Sequence, residues 1–218
     1  MTLLLPAAHL HAGGDAAVTT LSFIDSVTTD NSFLTTMAGI NPGDLLIWYD
    51  YTVYASSVVV PTGFTQIGTT LSVTDEVDVV TAYKIAIGNE SSTSILGMNG
   101  YYVEQKILLQ FRGDLAINSI TVQDVSQQIT DGNPAAQVCN ASGGAVPLIV
   151  IGTYSTFDAT VDPRTFSTTA DGEISIDGPF NDQYIKYKIY NSSPADTTID
   201  MDDENVENSL QSFYLEVS

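Results

Sequence analysis

The feature that most limits what this chain can fold into is the lack of any helical stretch. No window of about 11 residues repeats apolar positions at i, i+3, i+4 and i+7 behind a capped start. Short runs rich in β-branched and aromatic residues recur along the whole chain instead. They fall at 17–25 (AVTTLSFID), 44–53 (DLLIWYDYTV), 78–87 (DVVTAYKIAI), 105–112 (QKILLQFR), 117–124 (INSITVQD), 146–154 (VPLIVIGTY), 183–190 (QYIKYKIY) and 210–217 (LQSFYLEV). Turn-forming clusters separate them, among them Asn41-Pro42-Gly43-Asp44, Pro61-Thr62-Gly63, Gly113-Asp114, Asp131-Gly132-Asn133-Pro134 and Ser142-Gly143-Gly144.

Two kinds of strand are legible. In 183–190, Tyr184, Lys186 and Lys188 share one face, while Ile185, Tyr187 and Ile189 share the other. Leu45–Trp48 and Leu148–Ile151 are apolar without a break, the pattern of a strand covered on both faces. Many antiparallel strands at this spacing predict an all-β fold, a jelly-roll-like antiparallel β-sandwich.

The second half of the chain can be laid on the first. Leu46-Ile47 matches Leu148-Ile149, and Pro61-x-x-Phe64 matches Pro163-x-x-Phe166, both at an offset of 102. Tyr83-Lys84-Ile85 matches Tyr187-Lys188-Ile189, and Ile95 matches Ile199, both at 104, which asks for a two-residue insertion between the two sets. Landmarks in the same order predict one β-unit used twice, over about 40–115 and 143–218, two such units facing one another as four-stranded sheets. Residues 17–218 are read as one sandwich domain, and residues 1–16 as an extended N-terminal arm.

Charge narrows the function classes. Against 26 acidic residues stand 6 basic ones, a formal net charge of −20. Such a field opposes nucleic-acid backbones and anionic membrane surfaces, so neither is expected as a partner. The excess suits solubility in salty surroundings, or docking on a basic protein surface. Cys139 is the sole cysteine, which forbids an intrachain disulfide and reads as a small buried apolar residue. The segment "MTLLLPAAHLHAGGDAA" has no basic leader region, and Pro6 cuts its apolar run short, so no signal peptide is expected. No stretch approaches the roughly 20 apolar residues of a membrane-spanning helix.

The first half also carries a recurring pattern: Gly43-Asp44-Leu45-Leu46, then Pro61-Thr62-Gly63-Phe64-Thr65, then Tyr83-Lys84-Ile85-Ala86 and the turn Gly88-Asn89-Glu90. Over residues 40–95 this resembles a family of tailed-phage virion structural or tail-associated proteins, also seen in some bacterial surface proteins. Phe64 stands where the family more often has Trp. The resemblance implies a β-sandwich and no catalytic residues. On that basis the chain is expected to be no enzyme. It is expected to be a structural component of a bacteriophage virion, made in the host bacterial cytoplasm: a capsid decoration or cement protein. Its partners would be the major capsid protein and further copies of itself. The alternative is a receptor- or carbohydrate-binding module at a tail tip or fibre.

Candidate contacts follow from residue type. Leu3, Leu4, Leu5, Pro6, His9 and His11 in the arm are expected to reach a partner subunit, and His9 with His11 could form a transition-metal pair. Tyr101 and Tyr102, after Asn99-Gly100, are expected as an exposed contact. No cofactor is expected. The oxygen-rich stretches Asp75, Glu76 and Asp78, and Asp200, Asp202, Asp203 and Glu204, are candidates for a structural Ca²⁺, although neither has EF-hand spacing.

Overall fold

A computed structural model describes residues 17–30, 35–53, 58–73, 77–97, 103–130, 133–156, 164–177, 182–201 and 208–218. Five strands come from the first half: β1 (Leu21–Thr29), β2 (Leu45–Val53), β3 (Thr65–Val73), β4 (Val77–Ile85) and β5 (Val103–Gly113), with one helical turn, α1 (Ser92–Ile95). The second half supplies β6 (Ile120–Thr130), β7 (Gln137–Cys139), β8 (Leu148–Thr156), β9 (Arg164–Phe166), β10 (Gly172–Asp177), β11 (Asp182–Tyr190), β12 (Thr197–Met201) and β13 (Asn208–Val217). A single 3-10 turn, Ala141–Gly143, separates β7 from β8.

The strands form two large antiparallel sheets and one small one. The first sheet runs β1-β5-β2-β4-β3. The second, taken from its corresponding side, runs β6-β13-β8-β11-β10, so each half of the chain builds one whole sheet in the same order. Each unit has five strands where four were expected, and a third sheet, β7-β12-β9, lies outside the second. The sequence match of the halves is corrected at two points. Leu45 pairs with Ile85 and Phe111, as Ile149 pairs with Ile189 and Leu215. The central strands therefore correspond at 104 throughout, and no insertion separates β2 from β4. Sliding Leu46-Ile47 by two residues keeps every side chain on its face, so apolar matching alone could not distinguish 102 from 104. Nor are Phe64 and Phe166 on equivalent strands. Phe64 precedes β3 of the large sheet, whereas Phe166 lies in β9 of the small one; Pro163 lies outside the described residues. Each Phe nonetheless packs on the outer apolar cluster of its own half.

Three apolar layers result. The shared core joins the inner faces through Leu45, Ile47, Tyr49, Leu109 and Phe111 of the first sheet and Ile149, Ile151, Ile185, Phe213 and Leu215 of the second. Tyr83 and Ile85 pack on this core. An outer cluster around Leu46, Trp48, Val80, Ala82 and Leu108 is covered by Met37, Ile40, Val58, Val60, Phe64, Ile95 and Leu96. Its counterpart on the second sheet joins Leu148, Val150, Tyr154 and Leu210 to Cys139, Ile199 and Phe166 of the small sheet. β2 and β8 are therefore buried along their full length, as their unbroken apolar runs predict. Burial also pushes the Cys139 thiol up to about 12, which leaves it protonated and unreactive.

The sheets meet with β1 beside β10 and β3 beside β6. Each seam is tied by one side-chain amide acting as a strand would. Asn191 accepts from the Leu21 N–H at 2.7 Å and donates to the Leu21 carbonyl at 3.1 Å. Gln127 accepts from the Thr69 N–H at 2.8 Å and donates to the Thr69 carbonyl at 2.9 Å. Gly68 makes the second approach possible, since a Cβ there would lie 2.2 Å from the Gln127 carbonyl oxygen. Asn191→Leu removes both bonds of the first seam and is expected to cost about 1–2 kcal/mol in urea unfolding.

Candidate binding cleft on the outer face of the first sheet

The outer row of the first sheet is apolar in the middle and charged towards both ends. Two turns set its boundaries. In Asn41–Asp44, Pro42 precedes Gly43, whose φ of +83° is open to glycine and resisted by other residues. A Cβ on Gly43 would also strike Ala116 Cβ at 2.7 Å. The turn is closed by Asp44 N–H to the Asn41 carbonyl at 3.1 Å and Asn41 N–H to Asp44 Oδ2 at 2.7 Å. The second turn, Pro61–Phe64, closes through Phe64 N–H to the Pro61 carbonyl at 3.0 Å with Gly63 at φ +85°.

Asp44 anchors one end of the row. Its carboxylate accepts from Arg112 Nε at 2.7 Å, Arg112 NH2 at 2.8 Å and Gln110 Nε2 at 2.6 Å. Burial alone would raise its pKa, but Arg112, the Asn41 N–H and Gln110 together hold it below the usual carboxylate range.

Between the second turn and the strands lies a cleft of about 490 Å³ whose lining includes Trp48, Phe64, Lys84, Asn89, Glu90 and Lys106. Lys84 projects from β4 onto this face, 2.9 Å from Glu90 and 6.0 Å from the Phe64 ring centroid. Glu90 also accepts from the N–H groups of Ile87 at 2.9 Å and Gly88 at 2.8 Å. Burial opposes its ionisation, but these N–H groups and Lys84 outweigh it and draw its pKa from 4.5 down to about 2. A carboxylate depressed on folding contributes stability above its unfolded value and loses it as pH falls through the folded one. Glu90→Gln is therefore expected to flatten the acid-side loss of stability between pH 4.5 and about 2, read from urea midpoints against pH.

Lys106, in the cleft lining, belongs to a buried charged cluster that the sequence pattern did not single out. Asp50 of β2 and Glu104 and Lys106 of β5 are buried at 0%, 0% and 1% exposure. Lys106 Nζ lies 2.5 Å from Glu104 Oε1 and 3.9 Å from Asp50 Oδ2, and donates to the Gly97 carbonyl at 2.5 Å. Trp48 is buried beside them, its indole N–H without a hydrogen-bond partner among the described residues. Burial, reinforced by the Glu104 charge and only partly offset by Lys106, pushes the Asp50 carboxyl up to about 8. Thr52 Oγ1 donates to the other Asp50 oxygen at 3.3 Å.

The residues singled out from sequence fall differently. Leu3, Leu4, Leu5, Pro6, His9 and His11, Tyr101 and Tyr102, and Asp75, Glu76, Asp202, Asp203 and Glu204 lie outside the described residues. Asp200 is not in a loop: it sits in β12 opposite Thr165, drawn into a strand because the preceding Ile199 is fully buried. Asp78 likewise belongs to β4 and accepts a hydrogen bond from Ser72. Among the described residues no three His, Cys, Asp or Glu side chains are grouped to hold a metal ion, and no helix is long and apolar enough to cross a membrane. No protein-family model, curated protein or solved structure matches the chain.

Proposed function

We propose that this chain is a structural component of a bacteriophage virion, a decoration protein on the capsid surface. The observation that carries this reading is that the residues of the recurring pattern are spent on architecture. Gly43 and Asp44 form and lock a turn, Gly63 and Phe64 return the chain to an apolar cluster, Tyr83 packs on the core, and Lys84 pairs with Glu90. Residues whose work is to hold a sandwich together suit a part that endures rather than one that turns over substrate. The net charge of −20 fits docking on a basic subunit surface.

Copy number in purified particles tests the reading. Quantitative mass spectrometry is expected to find the chain at a ratio comparable to the major capsid protein, and particles lacking it are expected to lose heat and salt resistance. Removing residues 1–16 is expected to leave the body folded and to abolish attachment; unimpaired attachment would overturn the anchoring role of that segment.

The cleft favours a second reading, a receptor- or carbohydrate-binding module at a tail tip. Lys84, Asn89 and Glu90 could serve the hydroxyl groups of a sugar beside Phe64. Under that reading the chain is present in tens of copies at most, and the soluble protein competes with particle adsorption to cells.

A further inference from the structure

We propose that Lys106 and Asp50 condense into an intramolecular amide bond joining β2 to β5, with Glu104 carrying the proton. The two residues face each other directly across the antiparallel pair, on the outer side of two neighbouring strands of the first sheet. Lys106 Nζ is 2.5 Å from Glu104 Oε1 and 3.9 Å from Asp50 Oδ2, and all three side chains are excluded from water.

The ground state of this cluster is uncomfortable. Two carboxyls and one amine share a dry site, where buried ion pairs recover their desolvation cost poorly. Asp50 Oδ2 is buried with no hydrogen-bond partner among the described residues, although it lies at the edge of reach of Lys106. Burial favours the acid form of the Asp50 carboxyl. A neutral acid can be attacked by an amine, whereas a carboxylate anion resists it. Glu104, in contact with the ammonium group, is the base of the pair.

The step balances without any further reactant. Glu104 takes one proton from the Lys106 ammonium, leaving a neutral amine with a free electron pair. That pair attacks Asp50 Cγ, so the Nζ–Cγ bond forms and a tetrahedral centre carries the charge on oxygen. Nζ passes its surplus proton through Glu104 to the departing hydroxyl, the Cγ–O bond breaks, and one water leaves. One positive and one negative charge have become none: the product is an amide, a neutral Glu104 acid and water. Lys106 borders the cleft, which gives the water a way out. Holding amine and acid together in a dry site supplies an effective concentration on the order of 10⁵ M or more, which drives a condensation that bulk water reverses. The reaction needs no partner, so it holds whether or not the chain sits on a virion.

Intact-mass measurement of the folded, then denatured, recombinant chain tests the proposal. The wild type is expected one water below the mass its sequence dictates. Protease mapping is expected to yield a branched peptide joining the segment with Asp50 to the segment with Lys106. Glu104→Gln and Lys106→Arg are expected at their full sequence masses. A folded wild type at its full sequence mass overturns the proposal, even if either variant fails to fold. A branched peptide linking Lys106 to Glu104 instead overturns the roles assigned to the two acids.

Discussion

Phe111→Ala is expected to lower the free energy of unfolding by about 3–5 kcal/mol, the usual range for a buried aromatic cut to a methyl group. Phe111 is fully buried and sits where three rings meet across the sandwich. It contacts Phe23 of β1 edge-on at 5.7 Å and Tyr187 of β11 edge-on at 5.2 Å, while Phe23 and Tyr187 stack at 5.2 Å. Truncation opens a cavity that both sheets border, so neither can close it without shifting the other. The loss of edge-to-face contacts adds to the transfer cost. Urea unfolding followed by fluorescence measures the change. A loss below about 1 kcal/mol would mean that the sheets slide to fill the void.

Arg112→Ala is the second large effect. The guanidinium holds Asp44 through Nε and NH2 while also donating to the Gly39 carbonyl at 2.8 Å. Removing it strands a carboxylate that is only 1% exposed. Fully buried pairs lose about 3–5 kcal/mol on such truncation; because 34% of the Arg112 side chain is exposed, water can partly replace it, and about 2–3 kcal/mol is expected here. The pH dependence discriminates this from simple loss of packing. Asp44 lies below its unfolded-state pKa, so its contribution is complete at neutral pH and is withdrawn as pH falls through the folded value. In Arg112→Ala that acid-side loss is expected to shrink, because the charged form no longer has its main support.

Much of the fold is legible in the sequence because the eight apolar runs are the strands that fill both faces or the shared core. The strands that escape notice cover others and lean on them. β3 spends Gly68 and several threonines on an irregular ladder with β4, broken between Ile67 and Leu71. β10 alternates between half-buried and exposed positions with little apolar bulk. β7 and β9 have three residues each, too few to show a period, and β12 is hidden by the acidic residues that follow it. The cleft was less legible. Phe64, Lys84 and Glu90 fall at turn and strand positions of the first half, but their spacing says nothing of their meeting. Asp50 did leave a signal: it is a carboxylate inside the run LLIWYDYTV, on a strand whose neighbours demand burial on both faces. Lys106 in QKILLQF left the same one. A charged residue written into a two-sided apolar strand must find a partner, and the register of β2 with β5 sets Asp50 opposite Lys106.

The two seams have a consequence for assembly. Unpaired strand margins are templates for pairing with another chain, and native proteins guard them. Here each outer strand of one large sheet runs alongside an outer strand of the other, with a glutamine or asparagine amide occupying the backbone groups of one residue in each seam. The small sheet ends in strands of only three residues. Strand addition from one copy of the chain to another is thereby disfavoured at both seams.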